Sequence, residues 1–182
     1  VCTGRGATAG VLIKNAEALE TAHKLTTIVF DKTGTLTKGK PDVTDVVVLD
    51  SKYAEDDAVK FAAIAEKGSE HPLADAIINY ARNKKITIVN ADKFEAISGK
   101  GVFAKYKSYN ILLGNTKLIE QYKIKITDEI NEKIKKPEEQ GKTTVILAVN
   151  KSIIGLVAIA DTLKENSKEA VEELHIFGKE VI

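Results

Sequence analysis

The feature that most constrains this chain is an abrupt junction near its start. Leu25-Thr-Thr-Ile-Val-Phe30 is β-branched and apolar, with no polar alternation beyond two threonines. That is the pattern of a strand buried on both faces. It runs straight into Asp31-Lys32-Thr33-Gly34-Thr35-Leu36-Thr37 and then Lys38-Gly-Lys-Pro41, whose turn chemistry reads as a loop. Open α/β sheets bind ligands beyond the carboxyl ends of their strands, and Asp31 stands at such an end. A carboxylate there can be presented to a phosphorus atom, and carboxylates are established covalent nucleophiles. Lys32 adds positive charge, Gly34 lets the backbone approach a phosphate, and Thr33, Thr35 and Thr37 supply hydroxyls and amides. Composition alone leaves open a plainer alternative, a threonine-rich turn capped by Asp31.

Composition narrows the class without choosing the function. The 182 residues carry 27 Lys+Arg against 26 Asp+Glu, a net charge of +1, and 43% are hydrophobic. One domain or two small ones with a sizeable core are expected. Near-neutral charge argues against a nucleic-acid binder. The longest apolar run, Ile153 to Ala160, is far short of the ~20 residues that span a bilayer, and no secretory-signal pattern is seen, so a soluble piece is expected. The single cysteine, Cys2, excludes an internal disulfide and a cysteine-rich metal site.

Periodicity divides the chain into three parts. Asn15 to Lys24 has helical spacing and leads into the apolar run. Between Val43 and about Ile159, Val43–Leu49 reads as a strand and Asp56–Lys67 as a helix closed by Gly68 at C′. Ser69 is the expected N-cap of a helix from Glu70 to Arg82. Phe94–Ile97 starts another strand, Val102–Tyr106 and Tyr109–Leu113 form a hairpin, and Asp128–Gln140 is a polar helix. Thr144–Val149 and Ile153–Ala160 make a second hairpin. The last part is a helix over Lys164–Phe177, a Gly178 stop and the apolar beginning of a strand at Glu180-Val-Ile182. A strand starting at the last residues suggests a piece of a longer chain.

Two strings are set aside. Gly4-Arg-Gly-Ala-Thr-Ala9 fits a dinucleotide-binding pattern but has no strand before it, and Gln140-Gly-Lys-Thr143 lacks the upstream glycine of a P-loop, Lys136 standing there instead. Cys2, His23 and His175 have no ligand-spaced companions.

The string Asp31 to Thr37 resembles the phosphorylation signature of P-type ATPases. Gly10-Val-Leu-Ile-Lys14 with Glu17-Ala-Leu-Glu20 resembles the segment preceding it in the heavy-metal-transporting subgroup. Ser69-Glu70-His71-Pro72-Leu73-Ala74 is similar to that subgroup's His-Pro motif. Gly99-Lys-Gly101-Val102, Gly114-Asn115 and Asp161-Thr162 follow in the family's order, so the resemblance covers essentially the whole chain and looks most like copper transporters.

From the residues alone, a histidine in the first turn of a helix meets the positive end of the dipole, which disfavours imidazolium. A neutral His71 ring can stack on a purine or hydrogen-bond to it; a surface histidine on a capped helix is the plainer alternative. Glycines at strand ends let backbone amides approach a nucleotide, although Gly99-Lys-Gly101 also fits a simple turn and Asn115 a simple N-cap. The resemblance implies more. Glu66 is similar to the family's adenine-contacting glutamate, and His71, Gly99, Gly101, Val102, Gly114 and Asn115 would complete the nucleotide site. Asp31 would accept the γ-phosphate of ATP, with Lys32 and Thr33 beside it. Mg²⁺ would be held by the Asp31 carboxylate and the Thr33 carbonyl, an incomplete site lacking a later acidic motif.

The fold implied is α/β: an incomplete haloacid-dehalogenase-like Rossmannoid phosphorylation domain over residues 1–38 and 161–182. Inserted into it is an α+β nucleotide-binding domain with an antiparallel sheet over residues 39–160. Thr37–Pro41 and Ile159–Thr162 would be hinges. The expected partners are ATP, the rest of the phosphorylation domain, an actuator domain and membrane helices of the same pump, at the cytoplasmic face of a membrane. Such a piece would bind nucleotide with little turnover, and truncation would favour swapped or associated chains. The alternatives are a zinc/cadmium-type pump, a non-enzymatic nucleotide-binding module, or a soluble dehalogenase-type phosphatase. The phosphatases usually show Asp-x-Asp, whereas Thr33 stands at the second position here.

Overall fold

The computed structural model describes residues 7, 8 and 10–182; Cys2, and residues 4–6 and 9 of the dinucleotide-like string, lie outside the described residues. Two compact units separate. One joins the described residues up to Thr37 with Leu163–Ile182, and the other is Lys38–Thr162. The architecture is mixed α/β, and no helix among the described residues is long and apolar enough to cross a membrane.

The larger unit is built on a six-stranded sheet. In chain order its elements are β2 (Thr37–Val48), α2 (Glu55–Glu66), α3 (Pro72–Asn83), β3 (Lys93–Ile97), β4 (Gly101–Tyr106), β5 (Tyr109–Gly114), α4 (Thr116–Gln121), α5 (Asp128–Glu138), β6 (Thr143–Val149) and β7 (Ser152–Leu163). The spatial order is β2-β7-β6-β5-β4-β3, and every pair from β3 to β7 is antiparallel. Leu49 N–H donates to Ile154 O at 2.8 Å and the Thr44 hydroxyl to Ala158 O at 3.4 Å. Numbers rise on β2 as they fall on β7, so this pair is antiparallel too.

Side-chain alternation gives the sheet two apolar faces. Ile111, Leu113, Leu147 and Val149 join Ala58, Ile64 and Ile77 of α2 and α3 in one cluster. Leu112, Ile146 and Ala148 join Leu118, Ile119 and Ile134 of α4 and α5 in the other. Along β7 the alternation breaks once: Ile154 belongs to the first cluster and Leu156 to the second, although they share parity. A bulge between Leu147 and Ala148 of β6 supplies the extra residue on β7. Gly155 lies in it, where a Cβ would come within 2.9 Å of Val47 O.

Several expected boundaries move. Thr37 to Pro41 and Ile159 to Thr162, read as linkers, lie inside β2 and β7. β2 is an edge strand, where a proline without an N–H removes no ladder bond, so Pro41 is tolerated. Ser69 is not the N-cap of α3. That position is His71, whose Nδ1 accepts the Leu73 N–H at 3.2 Å, and Pro72 opens the helix. His71 therefore precedes the first turn rather than lying in it. Gly68 follows the C-cap Lys67 but lacks the left-handed backbone expected of a C′ glycine; its missing side chain makes room for Phe94, whose ring a Cβ would approach to 2.9 Å.

The smaller unit holds α1 (Ala16–Lys24), β1 (Thr27–Ile28), α6 (Ser167–Ile176) and β8 (Glu180–Val181), with β1 and β8 paired in parallel. The apolar run read as buried on both faces is strand only at Thr27–Ile28, and Val29 is 73% exposed. Among the described residues β1 pairs with one strand, β8, so it lies at an edge of its sheet. The helix expected from Lys164 starts at Ser167, because the Lys164 N–H and the Ser167 hydroxyl are both spent on Leu36 O. Gly178, at φ +71, ends α6 as expected.

Candidate functional site

The phosphate-accepting string is not an irregular loop. Lys32–Leu36 closes one wide, π-type helical turn directly after Asp31, a form that often marks functional sites. Gly34 takes φ +79, and its N–H donates to the Thr37 hydroxyl at 3.1 Å. Lys164 Nζ donates to Gly34 O at 2.8 Å and the Ser167 hydroxyl to Leu36 O at 2.6 Å. These two residues, about 130 positions away in the chain, shape the turn, and no local sequence signal announces them. Asp31 is exposed at the end of the β1 segment; the side chains of Lys32 and Thr33 lie outside the described residues. Among the described residues no group of three or more His, Cys, Asp and Glu could hold a metal ion. The single exposed carboxylate of Asp31 beside this turn suits Mg²⁺, an ion that takes few protein carboxylates and completes its shell with phosphate oxygens and water.

The larger unit carries a cleft of about 390 Å³, and Glu66, His71, Gly99, Gly101, Val102, Gly114 and Asn115 all line it. Three pieces of chain make its walls. The corner between α2 and α3 brings Glu66, Ser69, His71 and Leu73; the ends of β3, β4 and β5 bring Ile97 to Val102 and Leu113 to Asn115; the start of β6 brings Thr143 to Val145. From sequence, Ser69 and Leu73 stand only as a cap and as members of the His-Pro string, and Ile97 and the β6 residues as ordinary strand residues; the fold brings all of them to the cleft wall.

Glu66 is the outlier. It is 7% exposed, and its Oε2 has no hydrogen-bond partner. Burial pushes its carboxyl above the ordinary carboxylate range, against a hydrogen bond from Ser69 and attraction to His71. An enclosed acceptor without a donor costs about 1–3 kcal/mol, more when charged. Beside it, His71 Nδ1 is occupied by the Leu73 N–H, which leaves the Nε2 edge of the ring for other contacts. A carboxylate seeking a donor, an imidazole, and apolar Val102, Leu113 and Val145 suit a flat heteroaromatic ring bearing an exocyclic N–H.

The glycines divide into two kinds. Gly101 and Gly114 face one another across β4 and β5. A Cβ on Gly101 would stand 2.2 Å from Leu113 O, and one on Gly114 would stand 2.2 Å from Lys100 O. The strands themselves require these two. Gly99 takes φ +68 and has nothing within 4 Å of its absent Cβ, so of these three cleft glycines it leaves backbone open to a ligand. Asn115 is the N-cap of α4: Oδ1 accepts the Leu118 N–H at 3.2 Å, and Nδ2 donates to Gly99 O at 2.9 Å. One amide thus starts the helix and holds the open glycine turn.

A family model described as haloacid dehalogenase-like hydrolase matches residues 25–181. A probable copper-exporting P-type ATPase of Archaeoglobus fulgidus is 47% identical over 178 residues, which is 98% of this chain and 21% of that protein, so the chain spans about a fifth of that relative. A zinc-transporting PIB-type ATPase solved in its E2.Pi state superposes with a TM-score of 0.89 at 32% identity, covering 99% of this chain and 29% of that one. The catalytic domain of the CPx-ATPase CopB-B, solved in a study of its conformational changes upon nucleotide binding, gives a TM-score of 0.64 at 26% identity. It covers all of this chain and 62% of that one.

Proposed function

The chain belongs to the haloacid dehalogenase-like hydrolase family, and on that premise we propose that it is the ATP-binding and phosphate-accepting part of a copper-exporting P-type ATPase. Residues 39–160 form the nucleotide-binding domain, and residues 1–38 with 161–182 belong to the phosphorylation domain. The observation that carries the reading is the unpartnered Oε2 of buried Glu66 in a cleft shared with His71. Adenine offers that oxygen its amino group, whereas guanine would offer a carbonyl and meet repulsion. The His71 ring lies against the base, and the open Gly99 turn admits the ribose and phosphates.

At the other site, a carboxylate oxygen of Asp31 attacks the γ-phosphorus. The bond to the β–γ bridging oxygen breaks and ADP leaves, giving an aspartyl-phosphate. Such transfer depends chiefly on positioning and charge neutralisation. The Asp31 carboxylate and the Thr33 carbonyl would hold Mg²⁺, which would neutralise charge on the phosphate oxygens. Lys164 and Ser167 hold the wide turn that follows Asp31. Thr33 in place of a second aspartate removes the acid/base group that hydrolyses the intermediate in the related phosphatases, and this favours a pump over a phosphatase. Copper is preferred to zinc as the exported ion because identity is 47% toward the copper exporter and 32% toward the zinc transporter. The pump places this piece at the cytoplasmic face of a membrane, beside its own transport helices and remaining domains.

Titration of the chain with ATP and GTP tests the nucleotide site. ATP binds with clear preference, and His71→Ala and Glu66→Gln each weaken it; equal affinities across the three proteins would sink the assignment.

A further inference from the structure

We propose that Lys100 is a phosphate-binding residue of the cleft, its ammonium passing from the Gln121 side chain to the polyphosphate of a bound nucleotide. The proposal rests on the nucleotide reading of the cleft and names the group that meets the anionic end of the ligand.

Charge divides this cleft. Among the described residues that line it, Glu66 is the one carboxylate and Lys100 the one lysine or arginine. They stand on different walls: Glu66 ends α2, whereas Lys100 occupies the turn between β3 and β4, beside the open Gly99. A ligand that satisfies both offers a hydrogen-bond donor at one end and negative charge at the other. An adenine nucleotide has this polarity, and its phosphate oxygens are strong acceptors for an ammonium.

The backbone of Lys100 is closely fixed. Its N–H donates to Ile97 O at 3.0 Å, and its O accepts the Asn115 N–H at 2.8 Å. The same oxygen is pressed against Gly114, where a Cβ would stand 2.2 Å away. The stem therefore leaves a rigid point on the cleft wall, and freedom remains in its four-carbon chain.

The ammonium, by contrast, is held lightly. Lys100 is half-buried, and its Nζ donates to Gln121 Oε1 at 2.7 Å. Gln121 is exposed at the last position of α4. Among the described residues no carboxylate pairs with this ammonium, whereas Lys84, Lys133 and Lys142 each meet an acid at 2.6–2.7 Å. A neutral amide oxygen takes one of the three ammonium donors and leaves the charge uncompensated. Phosphate oxygens bind that charge more strongly, so a nucleotide draws the ammonium over and Gln121 returns to water. Gln121 thus parks the cation beside the cleft without neutralising it.

The test titrates the 182-residue chain and its variants Lys100→Met, Lys100→Arg and Gln121→Leu with AMP, ADP and ATP, at low and high potassium chloride. Lys100→Met keeps the length of the stem and removes its charge. Its loss of affinity grows with each phosphate and reaches about tenfold for ATP, the scale of a hydrogen bond to a charged group. Its ATP binding is also less sensitive to salt than that of the wild-type chain. Lys100→Arg keeps most of the affinity, and Gln121→Leu, which frees the ammonium, strengthens ATP about twofold. Unchanged ATP affinity in Lys100→Met overturns the proposal, as does an arginine variant no better than methionine. A loss equal for the three nucleotides, or Gln121→Leu weakened alongside Lys100→Met, also overturns it, since the Lys100–Gln121 bond would then only brace the glycine turn. Failure of the nucleotide reading looks different: the wild-type chain then binds none of the three nucleotides, and the role of Lys100 falls with it.

Discussion

Two carboxylates with opposite surroundings carry the proposed chemistry. Asp31 is exposed and follows a short strand, whereas Glu66 is enclosed and its carboxyl is held above the ordinary range by burial. The linkage sign follows from that direction. Between the ordinary carboxylate pKa and the raised one, the folded chain binds more protons than the unfolded chain, so stability from this group falls as pH rises through that window. ATP acts the other way: an amino group donated to Oε2 favours the ionised carboxylate, so affinity rises as pH passes through the raised value and binding releases a proton. Glu66→Gln removes both slopes and weakens ATP by about tenfold or more, the scale of a lost hydrogen bond to a charged group at ~1.5–3 kcal/mol. Calorimetric titrations at several pH values in two buffers of different ionisation enthalpy measure the affinity and the proton release together. For Asp31 the expected outcome is chemical. In the complete pump carrying this segment, acid-stable phosphate from γ-labelled ATP and Mg²⁺ disappears in Asp31→Asn. Both carboxylates are nameable from sequence, Asp31 from its seven-residue string and Glu66 only through the family resemblance. A serine before a helix satisfies the capping pattern equally well, and only the fold shows that His71, not Ser69, fills the position.

Elements were legible where local chemistry decides them and illegible where distant chain does. The hairpin across Lys107 and Ser108 and the pair of helices ahead of it follow from turn residues and period, and the structure reproduces them within a residue or two. The start of β2 was hidden because Gly39 and Pro41 read as breakers, while an edge position tolerates both. The bulge in the β6–β7 pair left no pattern beyond a glycine. The wide turn after Asp31 depends on Lys164 and Ser167, and no window of neighbouring residues contains them. The glycine turn shows how such contacts separate structural from functional roles. Gly101→Ala places a Cβ against the Leu113 carbonyl at φ +142. It destabilises the larger unit by about 2 kcal/mol or more, the upper part of the strain range for a side chain in disallowed backbone. Gly99→Ala enters open space and costs only about 1–2 kcal/mol for the left-handed conformation, yet it narrows the cleft and weakens ATP. Urea denaturation and nucleotide titration of the two variants read the contrast: Gly101→Ala loses mainly stability, Gly99→Ala mainly affinity.

At the scale of the whole molecule, both apolar clusters draw their residues from within Lys38–Thr162, one on each face of the six-stranded sheet. Every residue assigned to the nucleotide cleft lies in the same span. The smaller unit has a two-stranded parallel sheet and exposes Val29, Ile176, Phe177 and Ile182. Parallel pairing is stabilised by cover on both faces, and two short strands gain little from one another. The two units should therefore differ in stability, with cooperativity residing in the larger. A chain of residues 38–162 alone is expected to unfold in one transition, with a midpoint within a few degrees of the main transition of the 182-residue chain. It should bind ATP with the same affinity and the same dependence on Glu66. Far-UV circular dichroism against temperature checks the first expectation and calorimetry the second. A shorter chain that unfolds well below the parent would show that the larger unit draws stability from the residues removed. An intact fold with lost affinity would move part of the nucleotide site outside the cleft.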